Sequence, residues 1–471
     1  SGNKEFGIVI SHNSATHNVI TGNYIGTNTS ATKAITNGSA GIGIFGASLN
    51  RVGGDSEAER NIISGNELQG INVDGYDNEI IGNYIGTDVT GQIAIGNGGD
   101  GILFYTNGGR NTVRDNLVSA SGTHGMTVLS SDNIVQGNYI GTNLSGTTSF
   151  ANQHNGIYLA GSRNQIGGST PDQRNLISGN LANGIAVGTD LDGKDNLIQG
   201  NYIGTDYSGT FAIGNKDHGI YVSGIGHQIG GSLNGQGNLI SGNGQNGITV
   251  GDLGQHNIIS GNYIGTNSTG TKPIPNADTG IALWQGVAYN TVGGDTPAEG
   301  NLVAFNHDFG IAKWGEGQGN RITNNTIHHN DSVALRITAN TSLFNNNVYG
   351  NGVNRIELPA GTIESNQQWG PQGEADTYFV YWACESCNLE IAEDGALTIG
   401  AGAQVRMDYN RSILVRGKLT AEGTSEKPVR IIGPRDTIWA GDWAGIYFTP
   451  GSQGHFCYSD ISFARTGLAV E

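Results

Sequence analysis

The chain has 471 residues, with 79 Gly and only 9 Pro, and its 40 acidic against 23 basic side chains give a net charge of −17. Gly at this density costs about 1 kcal/mol per helical position, which excludes helical bundles and coiled coils. No apolar run approaches the roughly 18 residues of a membrane-spanning helix, and the acidic balance opposes nucleic acid, which needs cations to neutralise phosphates.

The first element is the short strand pattern Gly7-Ile-Val-Ile. Gly-Asn-Tyr-Ile-Gly-Thr then occurs five times, starting at Gly22, Gly82, Gly137, Gly200 and Gly261. Between the copies lies Val-Gly-Gly or Ile-Gly-Gly, with its first Gly at Gly53, Gly167, Gly230 and Gly293. Asn-x-Ile-Ser-Gly-Asn or its Leu variant ends at Asn66, Asn180 and Asn243. Each half-repeat closes on a Gly-apolar strand, at Gly41, Gly70, Gly101, Gly125, Gly156, Gly184, Gly219, Gly247, Gly280 and Gly310. Period-2 alternation over a few residues, broken by Gly and Asn, predicts short strands and tight turns. Strands recurring in one order at 20–30 residues predict an all-β parallel β-helix, a solenoid. Loops recur at fixed phases, such as residues 55–60 and 88–97, and should form ridges. Shorter coils follow at Asn301, Asn320 and Ser342.

This grammar predicts one β-helical region over residues 1–363, built of double-coil repeats of about sixty residues. Residues 364–388, containing Gln367-Gln-Trp-Gly-Pro-Gln-Gly, read as an irregular junction. Residues 389–471 read as a second β-helical section that continues into sequence not present. The first and last residues fall inside the strand grammar, which predicts unpaired strand edges and association with other copies, end to end or laterally.

The run Val292-Gly-Gly-Asp-Thr-Pro-Ala-Glu-Gly-Asn-Leu302 resembles secreted bacterial right-handed parallel β-helix repeat proteins. So do the Gly-Asn-Tyr-Ile-Gly-Thr-Asp runs at Gly82 and Gly200, each followed by Ala-Ile-Gly-Asn. Glu426-Lys-Pro-Val429 ahead of the stretch from Gly441 to Phe448 is similar to segments of large extracellular bacterial proteins. The resemblance implies a right-handed β-helix outside the cell or at its surface. It does not choose among lyases, hydrolases, epimerases, adhesins and fibre components, all of which use the fold.

Asn23, Asn66, Asn83, Asn116, Asn138, Asn180, Asn201, Asn243 and Asn262 read as one stacked structural ladder, continued by Asn306, Asn325 and Asn347. The residue before each Gly-apolar strand varies. Asp100 and His124 fall there one coil apart, as catalytic candidates for a carboxylate–imidazole pair. A solvated turn column is the competing reading. Tyr158 and Tyr221, two residues after the Gly, and Tyr105, Trp284 and Trp314, four after it, should face outward and suit glycan or partner binding. Asp190, Asp192 and Asp195 are the candidate calcium ligands, with an Asp-rich turn as the alternative; no other cofactor is expected. Cys384, Cys387 and Cys457 are disulfide candidates, one bridge leaving one thiol over, with zinc binding as the alternative.

Neither a cation cluster for a uronate lyase nor an evident pair of acids for a glycosidase stands out. The expected function is therefore a non-catalytic extracellular or cell-surface rod, structural or adhesive, with a fibre or filament as the assembly it would build. The alternative is a polysaccharide-active enzyme or glycan-binding module using the aromatic face. Expected partners are copies of the chain and neutral glycans, with no nucleic acid and no membrane span.

Overall fold

A computed structural model describes all residues except 189–192, 252, 382–386, 436–439 and 471. The chain divides into two compact units, Ser1–Asp278 and Thr279–Glu471. Each is a right-handed parallel β-helix in which every strand pairs in parallel with the equivalent strand of the next coil.

In the first unit three parallel sheets wrap the core. Sheet 1 runs from Ile8–Ser11 through Met126–Val128 and Ile157–Leu159 to Ile248–Val250. Sheet 2 runs from Val19–Ile20 to Ile258–Ser260, and sheet 3 from Tyr24–Ile25 to Tyr263–Ile264. Pairing is in register, so equivalent residues stack: Ile157 lies between Met126 and Ile185. Inward positions form continuous aliphatic columns, such as Val52, Ile80, Val113, Val135, Ile166, Ile198, Ile229 and Ile259, all fully buried. Each buried Val or Ile contributes roughly 1.5–3 kcal/mol.

The predicted Asn ladder resolves into three, one at each corner. Between sheets 2 and 3 it runs Asn23, Asn61, Asn83, Asn116, Asn138, Asn175, Asn201, Asn238, Asn262, with Nδ2 to Oδ1 distances of 2.8–3.0 Å. Asn66, Asn180 and Asn243 belong to a different ladder, between sheets 3 and 1, with Asn37, Asn97, Asn152, Asn215 and Asn276. Both motifs contain Gly-Asn after an apolar pair, so the sequence alone merges two corners. A third ladder runs from Asn18 to Asn196 and continues through His227 to Asn257.

At this third corner the residue before the ladder takes a left-handed conformation even where it is not Gly: Asp77 (φ 57°), Arg110 (φ 53°), Asp132 (φ 64°), Arg163 (φ 55°) and Asp195 (φ 56°). Acid and base alternate along this column. Arg110 pairs with Asp77 at 2.7 and 2.9 Å, and Arg163 with Asp132 at 2.8 Å. A stacked column can thus carry charge when successive coils alternate its sign.

In the second unit the Asn ladder Asn301–Asn325–Asn346 ends on Gln372, whose Oε1 accepts from the Asn346 Nδ2 at 2.9 Å. Asn346 takes the ladder place; the expected Asn347 is exposed. Asn306 pairs with Asn330 in a parallel ladder, not with Asn325. The stretch 364–388, read as irregular, carries the strands Asn366–Trp369 and Thr377–Tyr381, paired in parallel with Ala396–Gly400 and Gln404–Met407. Trp369 is buried and stacks on Tyr378 at 4.8 Å, and the Tyr378 hydroxyl bonds the Gly370 carbonyl at 2.9 Å. Beyond it the strands lengthen and the ladders give way to apolar stacking, as in Leu397 on Leu419.

Candidate functional site

The outward side of sheet 1 gathers most of the chemistry-bearing residues. In the first unit the variable position before each Gly-apolar strand proves to be a fourth ladder. Each side-chain acceptor receives the backbone N–H of the next coil: His124 to Asp100 Oδ1 at 3.0 Å, Asn155 to His124 Nδ1 at 3.2 Å, Asn183 to Asn155 Oδ1 at 3.1 Å. His218 then donates to Asn183 Oδ1 at 3.2 Å, and Asn246 to His218 Nδ1 at 3.3 Å. Asp100 also accepts from the Thr123 hydroxyl.

Asp100 and His124 are therefore neighbours, but the carboxylate meets the backbone of His124 and not its ring. The ring stacks on Tyr158 at 5.4 Å and lies edge-on to His154 at 5.2 Å. Burial, and then the nearby His154, push the His124 pKa down, while the Asp100 charge opposes them. A neutral ring with Nδ1 free to accept and the proton on Nε2 suits the ladder. His218 follows the same logic: burial lowers its pKa and its ring stacks on Tyr221 at 6.0 Å.

Tyr158 and Tyr221 occupy one outward column, with Ala186 between them. Two strand spacings put them roughly 10 Å apart. Each ring reaches over a Gly of the next coil. A Cβ on Gly188 would meet Tyr158 Oη at 2.5 Å, and one on Gly251 would meet Tyr221 Oη at 2.2 Å. Tyr105 is half-buried; burial, then the charges of Asp100 and Asp74, raise its phenol pKa. Asp74 Oδ1 is buried without a hydrogen-bond partner.

In the second unit Trp284 is 50% exposed and Trp314 half-buried. Lys313, the last residue of the strand Ile311–Lys313 that leads into Trp314, is fully buried, and its Nζ donates to the carbonyls of Trp284, Trp314, Gly315 and Glu316 at 2.8–3.1 Å. Burial lowers its pKa to about 8. Trp314 also stands in a group that sequence reading missed: Phe309, Arg336 and Tyr381. The signal was hidden because Ala334 replaces the Gly that marks other coils, so Arg336 at the outward position two residues on is unmarked.

Cys387 is disulfide-bonded, and Cys384 lies outside the described residues. Cys457 is a free exposed thiol, the one left over among the three candidates: it lies on the strand Gln453–Cys457, paired with Lys418–Glu422. Asp190 and Asp192 fall outside the described residues, and Asp195 is the left-handed corner residue next to Arg163 in the charged column. Among the described residues no group of three His, Cys, Asp or Glu side chains could hold a metal ion. No helix of the described residues is long and apolar enough to cross a membrane.

No family model and no curated protein matches the chain. Among solved structures it is similar to the Dettilon tailspike protein (gp208), at 15% identity and a TM-score of 0.23, over 96% of this chain. The chain spans 60% of that protein's length. At this TM-score the likeness carries no weight for fold or function; the fold rests on the sheets themselves.

Proposed function

We propose that the chain is a non-catalytic β-helical module that works outside the cell or at its surface and adheres to neutral glycans through the outward side of sheet 1. The carrying observation is the pair Tyr158 and Tyr221, both partly exposed on one outward column with stacked imidazoles beside them. Rings at that spacing offer faces to alternate units of a glycan chain, and their apolar area is the driving term. Asp100 and His124 are engaged as ladder acceptors, which favours a structural role for both. An oxidising compartment is supported by the disulfide at Cys387. Retention on immobilised neutral polysaccharides tests the reading: Tyr158→Ala/Tyr221→Ala should lose retention, and unchanged retention would remove this face from consideration.

Association between copies has separate support. Hairpin loops after each Gly-Asn-Tyr-Ile-Gly-Thr stack through Leu144 N to Gly91 O at 3.0 Å, Tyr207 N to Gly146 O at 3.0 Å, and Ser268 N to Gly209 O at 2.9 Å. This ridge exposes Ile93 (57%), Tyr207 (54%) and Phe211 (72%). Lateral packing would bury them. Sedimentation at rising concentration checks it; Phe211→Ser should weaken association, and strictly monomeric protein would count against it.

The enzymatic alternative is favoured by one observation, the two carboxylates Asp74 and Asp100 near the Tyr105 phenol. Product analysis after incubation with neutral and acidic polysaccharides decides. Products that disappear in Asp100→Ala would replace the non-catalytic reading.

A further inference from the structure

The geometry points to a second binding site, in the second unit on the outward side of the parallel strands Ile311–Lys313, Val333–Arg336, Val353–Pro359 and Thr377–Tyr381, that takes a sugar residue bearing a carboxylate. It rests on the proposed glycan-binding reading and adds a charged specificity to it.

Arg336 ends the strand Val333–Arg336 and lies opposite Ala312 on one side and Glu357 on the other. Its guanidinium carbon stands 5.9 Å from the Phe309 ring centre, 5.8 Å from Trp314 and 5.6 Å from Tyr381. Phe309 and Trp314 meet edge to face at 6.0 Å. Arg336 Nε is buried and has no hydrogen-bond partner, and so is the Tyr381 hydroxyl. The adjacent carboxylate does not serve it: Glu357 Oε1 accepts from Arg355 Nε at 2.9 Å and from Arg355 Nη2. The local charge of Arg336, Arg355 and Glu357 is positive, in a chain of net −17.

An unpartnered buried donor is costly, and a charged one more so. The fork of a guanidinium matches a planar carboxylate through two parallel N–H···O bonds. Aromatic rings on three sides supply faces for a pyranose and exclude water. A hexuronic acid residue has this combination of a carboxylate on a ring with apolar C–H faces. The overall negative charge disfavours a dense polyanion, so the matching glycan is largely neutral with sparse acidic residues.

The probes are methyl glucuronide and methyl glucoside, titrated into the full chain while Trp and guanidinium NMR signals are followed. Glucuronide should bind at least tenfold more tightly than glucoside, shift the Trp314 indole and the Arg336 Nε–H, and weaken with salt. Arg336→Gln should bring the glucuronide to the level of the glucoside. Arg336→Lys should recover only part, because an ammonium lacks the fork. Equal binding of the two sugars, or an Arg336→Gln variant that still discriminates, would overturn the site. Inorganic phosphate displacing the glucuronide at equal concentration would also overturn it, as an unselective anion site. Retention on neutral polysaccharide through Tyr158 and Tyr221 is read separately, so either proposal can fail alone.

Discussion

A ladder asparagine uses its whole amide. Asn138 donates from Nδ2 to Asn175 Oδ1 at 3.0 Å and to the Val113 and Gln136 carbonyls at 3.0 and 2.8 Å, while its Oδ1 accepts from the Asn116 N and Nδ2, both at 3.0 Å. Ala at this position would orphan several buried groups, so Asn138→Ala should cost roughly 2–4 kcal/mol. Asp should cost more, because a carboxylate would face carbonyls and bury charge. Urea denaturation of the two variants checks the order. His227 stands where its neighbours carry Asn and accepts the Asn196 N–H on Nδ1 at 3.2 Å. Burial lowers its pKa to about 4. The sign follows from linkage: a His depressed in the folded state leaves stability intact above its unfolded pKa near 6.5, and stability falls as pH drops from there towards 4. Over that window the loss is about 3 kcal/mol. His227→Asn should flatten the acid side of the stability profile, measured by denaturation at pH 7 and pH 4.5. His124 and His218 act in the same direction.

At the scale of one coil, the register follows from what each corner can accept. The ladder between sheets 3 and 1 has one gap. Ser121 stands between Asn97 and Asn152; its N–H reaches Asn152 Oδ1 at 3.0 Å, but its buried hydroxyl has no partner. The space in front of Gly101 matches that in front of Gly41 and Gly125, where ladder amides fit. Ser121→Asn should therefore stabilise the chain by about 1–2 kcal/mol, seen as a raised denaturation midpoint. Strand positions and inward columns were legible in the sequence because the same residue type must recur at each level. The assignment of Asn66, Asn180 and Asn243 to their own corner was not, since the loops between corners vary in length and erase a constant spacing. Arg336 escaped for a related reason: Ala334 fills the marker position with a Cβ that this coil tolerates.

Over the whole molecule, most contacts join each coil to its immediate neighbours, so a disturbance should travel a short way. Asn138→Ala should lower native-state hydrogen-exchange protection in the adjoining strands Leu117–Val118 and Leu176–Ile177. The strands of the other unit, such as Ala396–Gly400, should keep theirs. Loss of protection throughout both units would show that the coils unfold as one. By itself the sequence determined the coil: in-register stacking demands like on like, and the demand is written as repeated Ile, Gly and Asn. Tertiary structure decided what the irregular residues do. It made Asp100 and His124 ladder acceptors, left Cys457 unpaired and set Arg336 among three rings. Those outcomes depend on residues one or more coils away, whose spacing the sequence does not hold constant.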